Sequence, residues 1–233
     1  MKKTLLANGC SWTAGGGLDN IHNPYKLESI LWPFQLTRLL EYGNHVNLSA
    51  GCGSNQRIVR TTTNWLLKQD SETLRNTTAI IQWTELSRYE YYHPTSDNVY
   101  EDIERNWAKV KTGIVISPAD PLNHYDFTVE RSQRRYELYT DIEGLYTHLT
   151  HLETLHSLFN QFGVKYYYWN FAMAYNLVNH HLIPFILSRY NWLEKEGRHL
   201  WDYERVSNED PHPSVNGHRQ IAQHIYNSIN GQV

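Results

Sequence analysis

The fold is first indicated by residues 3–15, which read KTLLANGCSWTAG. Lys3 to Ala7 form a compact, mostly apolar run, and Asn8-Gly9 follows it directly. A short apolar run that ends in Asn-Gly is typical of a buried strand that enters a tight turn. We therefore expect a strand whose carboxyl end places Ser11 in solvent, close to the amino end of the next helix.

Outward from this stretch, short apolar runs alternate with longer segments of helical periodicity. The other predicted strands are 45–48, 78–83 and 164–169, and the predicted helices are 30–42, 55–68, 141–162, 182–193 and 213–229. Strands that alternate with helices indicate βαβ units and a parallel sheet covered on both faces. The sequence thus predicts an α/β fold, with its functional residues at the carboxyl ends of the strands.

Residues 86–137 interrupt this alternation, because they are rich in Tyr, Asp, Asn and Pro. The stretch is too long for an ordinary loop. We predict an irregular Tyr-rich insertion, with partial structure of its own, inside one domain that spans residues 1–233. A chain of 233 residues is compatible with a single large domain.

The composition excludes several classes of protein. A hydrophobic fraction of 40% argues against a disordered chain, a collagen or a coiled coil. Lys and Arg number 21 against 24 Asp and Glu, a net charge of -3, so we expect neither a nucleic acid nor a membrane as partner. The two cysteines cannot form a four-ligand zinc site, and the histidines lack ligand partners at suitable spacing. We predict no metal and no cofactor.

Location and surface chemistry are less constrained. The apolar run of the first strand stops at Asn8, short of the roughly 7–15 residues of a signal sequence, and no stretch approaches the roughly 18 apolar residues of a membrane span. We therefore expect a cytoplasmic protein. Its 17 Tyr and 8 Trp, against 6 Phe, suit a core with wet edges or a sugar-binding surface.

Three loops that follow predicted strands carry candidate chemistry. A serine at position 11 suits a nucleophile, because helix N–H groups favour developing negative charge; the alternative is a Gly/Ser turn without a function. Residues 47–55 read NLSAGCGSN, in which free N–H groups could bind an anion, or Ser54 or Asn55 could simply cap the next helix. In the third loop, Asp210 lies two residues before His212, between prolines, where it could orient the imidazole. Three glycines at 15–17 also suggest a phosphate loop, but no Gly-Lys-Ser/Thr follows them.

Taken together, these loops resemble the SGNH hydrolases, also called the GDSL esterase/lipase superfamily. The stretch Gly9-Cys10-Ser11-Trp12-Thr13-Ala14-Gly15 is similar to the first block of that family, with Cys10 in place of the usual Asp and Trp12 in place of Leu. Residues 47–55 resemble the second block, whose glycine donates a backbone N–H to the oxyanion. Residues 210–213 resemble the last block, which supplies the acid and the base. The three occur in the family's order.

The resemblance implies a three-layer α/β/α sandwich around a central parallel sheet, of the flavodoxin-like SGNH type. It also implies ester hydrolysis through an acyl-enzyme, with Ser11 as nucleophile and His212 as base. The family's usual spacing would make Glu209 the acid, whereas subfamilies with an Asp-x-His spacing select Asp210. We favour Asp210.

The resemblance further implies an oxyanion hole. Its donors would be the backbone N–H of Ser11, the N–H of either Cys52 or Gly53, and Thr84. The third family block normally reads Gly-x-Asn-Asp, and the matching stretch here is Gln82-Trp83-Thr84-Glu85, which puts Thr84 at the position of the Asn.

The implied substrate is a small or carbohydrate-linked acyl ester. Two alternatives remain open. One is an O-acyltransferase that uses the same triad, and the other is a non-catalytic carbohydrate-binding protein with a degenerate site. The oligomeric state is not predicted.

Overall fold

A computed structural model describes residues 2–18, 20–92, 107–111, 114–117, 138–170, 180–193 and 203–231. The protein has a mixed α/β fold around a sheet of four parallel strands. These strands are β1 (Thr4–Asn8), β2 (Asn44–Asn47), β3 (Thr77–Trp83) and, later in the chain, β7 (Lys165–Asn170). Their spatial order is β2-β1-β3-β7. Because β1 lies in the interior of the sheet, all five of its residues are buried.

A second, antiparallel sheet has the order β4-β5-β6. Its strands are β4 (Tyr89–Tyr92), β5 (Trp107–Lys111) and β6 (Ile114–Ser117). They lie inside residues 86–137, the segment predicted as an insertion with partial structure of its own. The rest of that prediction falls on 93–106, 112–113 and 118–137, outside the described residues.

The described helices are α1 (Ser11–Ala14), α2 (Pro24–Ile30), α3 (Trp32–Leu39), α4 (Asn55–Leu66), α5 (Ser71–Arg75), α6 (Asp141–Phe162), α7 (Leu182–Arg189) and α8 (Val215–Ile229). The helix predicted over 30–42 is present as α3, but it begins later, at Trp32, and ends earlier, at Leu39. The chain is extended at Leu31, which separates α2 from α3. At this break the backbone N–H of Trp32 donates to Nδ1 of His218, 3.3 Å away, instead of to a helix carbonyl.

The helix predicted over 182–193 ends early, at Arg189. Beyond it, Trp192 forms a parallel bridge with Tyr168 of β7. The N–H of Tyr168 donates to the carbonyl of Asn191 (2.7 Å), and the N–H of Leu193 donates to that of Tyr168 (2.9 Å). The free edge of β7 therefore satisfies its backbone groups with residues that helical periodicity alone assigned to α7.

Two clusters of buried side chains hold the helices against the sheet. Successive residues of β1 alternate between them, since side chains along a strand point to opposite faces. The first cluster contains Leu6, Ala79 and Ile81 together with residues of α4 and α6, among them Ile58, Leu152 and Phe159. The second contains Leu5, Ala7 and Ile80 together with residues of α3 and α8, among them Leu36, Ile221 and Ile225. Helices thus pack on both faces of the sheet.

Helix α6 has the predicted bounds. The side chain of Thr140 accepts a hydrogen bond from the N–H of Glu143, and the helix ends at Gly163. Two apolar residues in its first turns, Ile142 and Tyr146, are 52% and 49% exposed. In the described part of the chain, no helix combines the length and apolarity needed to cross a membrane.

Candidate active site

Ser11 lies where β1 ends and α1 begins. Cys10 is extended and serves as the N-cap of this short helix, and Ser11 is its first residue. The backbone N–H of a first helical residue has no intrahelical partner, and among the described residues no other backbone carbonyl accepts from it. Ser11 is partly exposed, while Cys10 and Trp12 on either side are buried. The turn therefore places the hydroxyl at the surface and leaves an N–H beside it.

The Asp210–His212 loop is held in shape by its own hydrogen bonds. The N–H of Val206 donates to the carbonyl of His212 (2.9 Å), and the N–H of Asp210 donates to Oγ of Ser207 (2.9 Å). An antiparallel bridge joins Arg205 to Pro213. Immediately after the loop, Ser214 caps α8, so the helix anchors this segment on the sheet.

A hydrogen-bonded series links the two segments. Nε2 of His212 lies 2.9 Å from Oγ of Ser11, and Nδ1 of the same ring lies 2.6 Å from Oδ1 of Asp210. Oδ1 also accepts the backbone N–H of His212 at 3.0 Å. The structure therefore brings Ser11, His212 and Asp210 together in the order serine, imidazole, carboxylate, across 201 positions of sequence.

The carboxylate of this series is ionised. The hydrogen bond from the backbone N–H of His212 holds the pKa of Asp210 below its usual value, and the imidazole adds to the effect. Glu209, the alternative acid, is exposed, and its backbone N–H donates to Oγ of Ser207. The carboxyl group in contact with His212 is that of Asp210.

Two glycines make room for this loop. A Cβ at Gly16 would lie 2.8 Å from both Cδ2 and Nε2 of His212 and 3.0 Å from Cβ of Ser11. A Cβ at Gly17, whose φ is +77°, would lie 2.6 Å from Oδ2 of Asp210. Sequence reasoning considered these glycines only as a weak phosphate-loop signal. Their position shows that the run leaves room for Asp210 and His212 beside Ser11.

The loop of residues 47–55 offers one available backbone N–H, although the sequence left two candidates open. The N–H of Gly53 donates to the carbonyl of Ala50 at 3.1 Å, so that group is already used. Within the described residues, the N–H of Cys52 has no such partner. Cys52 has a φ of +56°, a conformation that is uncommon for a residue with a side chain. Of the two positions left open by the sequence, Cys52 is the one with an available N–H.

Thr84 directly follows β3 and is tied to the start of α4. Its N–H donates to Oδ1 of Asn55 (2.9 Å), and its carbonyl accepts from Nδ2 of the same side chain (3.1 Å). The Thr84 side chain is buried, and its hydroxyl finds no partner in the described part of the protein. A buried hydroxyl without a partner is uncommon and costly.

The comparison with known families gives one result. The model of DUF6071, a family of unknown function, matches residues 19–177, more than half of the chain. The chain belongs to the DUF6071 family. No curated protein matches it.

The DUF6071 match covers only part of the candidate site. It includes Cys52, Gly53 and Thr84, but it begins after Ser11 and ends before Asp210. Membership in the DUF6071 family therefore assigns no activity, and the match does not cover Ser11, Asp210 or His212.

Sequence reasoning missed a buried polar network beneath Ser11. Gln82, at the end of β3, is fully buried; its amide donates to Sγ of Cys10 at 3.6 Å and its carbonyl oxygen accepts from the hydroxyl of Thr13. The indole N–H of Trp32 donates to the same Thr13 oxygen at 3.2 Å. The available signal was a glutamine inside an otherwise apolar strand, since buried polar groups need partners.

Asn8 braces the other side of the same turn. Its side-chain amide donates to the hydroxyls of Thr61 (2.8 Å) and Thr62 (2.9 Å) and to the carbonyl of Ile58 (3.1 Å), all on α4. Its Oδ1 accepts the N–H of Gly9 at 2.8 Å. The turn that presents Ser11 is thus fixed to its neighbours at several points.

The described part of the site shows neither a disulfide nor a group of metal ligands. Cys10 and Cys52 both carry free thiols. The described residues contain no group of three or more His, Cys, Asp or Glu side chains arranged to hold a metal ion.

Proposed function

We propose that this protein is a serine-dependent ester hydrolase with a three-layer α/β/α sandwich of the SGNH type. The observation that carries the proposal is the continuous hydrogen-bonded series from Oγ of Ser11 through His212 to Asp210. A hydroxyl, an imidazole and an ionised carboxylate in this order are the parts of a nucleophilic triad. The substrate is a small or carbohydrate-linked acyl ester.

Each residue has a defined role in acyl transfer. Oγ of Ser11 attacks the ester carbonyl carbon while Nε2 of His212 takes its proton, and Asp210 stabilises the imidazolium. The tetrahedral intermediate then expels the alcohol, which receives the proton from His212. In the second half, His212 takes a proton from water as the water oxygen attacks the acyl-enzyme. The carboxylic acid leaves, and the proton returns to Oγ of Ser11.

The negative charge that develops on the carbonyl oxygen has to be stabilised by hydrogen-bond donors. The proposed donors are the N–H groups of Ser11 and Cys52, which have no backbone partner among the described residues. A donor of this kind typically contributes about 3–4 kcal/mol to lowering the barrier. The hydroxyl of Thr84 is the third proposed donor. This chemistry uses groups that the chain itself supplies and calls for no cofactor.

A fluorophosphonate probe tests the proposal directly, because it forms a covalent adduct with an activated serine. Wild-type protein should be labelled at Ser11 alone and should hydrolyse 4-nitrophenyl acetate. Ser11→Ala should lose both properties with an unchanged far-UV circular dichroism spectrum. Ser71→Ala, which changes an exposed serine at the start of α5, is the matched control and should keep both.

The same experiment separates the alternatives. Labelling and turnover that survive in Ser11→Ala would contradict the proposal. If labelling occurs at Ser11 but the acyl group moves to an added sugar alcohol in preference to water, the protein is an acyltransferase. If no serine is labelled and the protein binds sugars, it is a non-catalytic binding protein.

A further inference from the structure

A cavity of about 220 Å³ lies between the start of α4, the residues that follow β3, and the first turns of α6. The residues of its lining that matter here are Asn55, Gln56, Arg88, Glu90, Thr147 and His151. We call it the Arg88 cavity. Its volume is enough for a group of several heavy atoms.

Arg88 is the main reason to expect an anionic ligand in this cavity. The residue is 7% exposed, and its Nε donates to Oε2 of Glu85 at 3.0 Å. Its Nη1 is buried and has no hydrogen-bond partner in the described part of the chain. An unsatisfied buried donor on a charged group is costly, and an oxygen of a bound anion would satisfy it.

The amino end of α4 adds a second source of positive potential. This helix has 12 residues, and Asn55 and Gln56 are its first two. Ser54 caps the N–H of Arg57, but the N–H groups of Asn55 and Gln56 have no backbone partner among the described residues. Free N–H groups at the start of a helix attract anions. Asn55 and Gln56 both line the cavity that Arg88 lines.

The other charged residues around the cavity favour a ligand with one negative charge over a ligand with two. Glu90 lines the cavity but is paired with Arg60 through two hydrogen bonds of 2.8 and 3.0 Å, and Glu85 is paired with Arg88. Burial lowers the pKa of His151 to about 4, so this lining imidazole is neutral near pH 7. A second negative charge on the ligand would lie near two carboxylates whose guanidinium partners, Arg60 and Arg88, already neutralise them.

The cavity is adjacent to the candidate active site. Asn55 lines it and also holds both backbone groups of Thr84, and α4 starts three residues after Cys52. Burial alone would lower the pKa of Arg88, but the neighbouring groups, Glu85 among them, outweigh that effect and the pKa is raised.

We propose that the Arg88 cavity binds a carboxylate of the substrate, with Nη1 of Arg88 and the first N–H groups of α4 as donors. This inference rests on the proposed ester hydrolysis and narrows its substrate class to esters that carry a second, free carboxylate. The free carboxylate fixes the substrate while Ser11 attacks the ester group.

Binding can be measured apart from turnover, with the Ser11→Ala protein and isothermal titration calorimetry at pH 7. The probes are butyrate, its uncharged isostere butyramide, and inorganic phosphate. We expect butyrate to bind at least tenfold more tightly than butyramide, with phosphate weaker than butyrate. Adding Arg88→Gln should weaken butyrate binding by about 10–100-fold, the usual effect of losing a charged hydrogen bond.

Two further variants guard against misfolding and non-specific charge effects. Thr147→Phe, which fills the cavity from α6 without changing Arg88, should also weaken butyrate binding. Arg189→Gln removes the same charge from a residue that is paired with Glu153 outside the cavity, and it should bind butyrate as the parent does. Equal butyrate affinity with and without Arg88, equal affinity for butyramide, or tighter binding of phosphate would each overturn the proposal.

Turnover distinguishes failure of this inference from failure of the proposed function. The wild-type kcat/KM should be higher for mono-4-nitrophenyl glutarate than for 4-nitrophenyl butyrate, and Arg88→Gln should reduce the ratio between them. Butyrate binding that depends on Arg88, without hydrolysis of either ester, would support the anion site and reject the hydrolase. Hydrolysis of both esters at the same kcat/KM, without butyrate binding, would reject only the anion site.

Discussion

Gly16 faces the imidazole of His212 so closely that a single added Cβ would lie 2.8 Å from both Cδ2 and Nε2 of the ring. Real Cβ contacts are not found at this distance, so a larger residue would displace the imidazole or the turn. Nε2 is the atom that accepts or donates to Oγ of Ser11 at 2.9 Å. The absence of a side chain at position 16 therefore sets the geometry of the candidate base.

We predict that Gly16→Ala lowers kcat for 4-nitrophenyl acetate by about 10–100-fold, because small displacements of a catalytic group are costly. Gly51→Ala is the matched control, since a Cβ at Gly51 meets nothing within 4 Å. Steady-state kinetics and thermal unfolding of both variants provide the measurement. Equal kcat in the two variants would show that the imidazole is not held in place by Gly16.

The acid can be assigned with a pair of isosteric substitutions. Asp210→Asn should reduce kcat by about 10⁴-fold, as in other triads whose acid is neutralised, because Oδ1 then no longer stabilises the imidazolium. Glu209→Gln should change kcat by less than about twofold, since Glu209 is exposed. The reverse result would assign the acid to Glu209, and two small effects would indicate a dyad of Ser11 and His212.

Thr84→Val tests the third proposed oxyanion donor, because it should raise the stability of the protein and lower its kcat. Removing a buried hydroxyl without a partner should raise the free energy of unfolding by about 1 kcal/mol. The same change should lower kcat by about 100-fold, the usual cost of losing one oxyanion donor. A gain in stability with unchanged kcat would show that Thr84 takes no part in the reaction.

Stability should fall as the pH decreases from about 6.5 toward 4. Burial lowers the pKa of His148 to about 3 and those of His151 and His218 to about 4, against about 6.5 in an unfolded chain. Between these values the unfolded chain binds protons that the folded protein does not. Unfolding is therefore coupled to proton uptake, and acidification favours it.

Each of these histidines should contribute about 1 kcal/mol per pH unit between pH 6 and 5. His218→Asn keeps an acceptor for the backbone N–H of Trp32 and removes one titrating group. Urea unfolding at pH 7, 6 and 5 should give a slope smaller by that amount in the variant. An identical slope would mean that His218 does not gain a proton on unfolding.

β1 and β3 were predictable, because each contains a short run of adjacent apolar residues that the sheet buries. Helix α6 was predictable for the same reason, since Leu145, Leu152 and Phe159 recur at helical spacing. The errors occur where a distant partner decides the local structure. The helix predicted from residue 30 begins only at Trp32, whose N–H donates to His218. Trp192, predicted as helical, instead pairs with Tyr168.

Ser11, Cys52 and Thr84 were accessible from the sequence as residues of loops that follow strands, and Asp210 and His212 as a pair in the loop before the last helix. Their catalytic roles stay predictions. The sequence could not show how these residues fit against one another in space. Whether Cys52 or Gly53 has an available N–H depends on the hydrogen bond from the N–H of Gly53 to the carbonyl of Ala50. The need for glycine at position 16 depends on the imidazole of His212, 196 positions later. Such relations are set by packing between distant segments, which no local pattern encodes.

The 201 positions between Ser11 and His212 also bear on when the proposed triad can assemble during synthesis of the chain. The turn that presents the serine leaves the ribosome early, while the imidazole follows only after the sheet and most helices have been made. α8 must then dock on the face built by Leu5, Ala7 and Ile80 before the ring reaches Oγ. A nascent chain therefore carries Ser11 without its imidazole, and the proposed triad is completed only when α8 docks on the sheet.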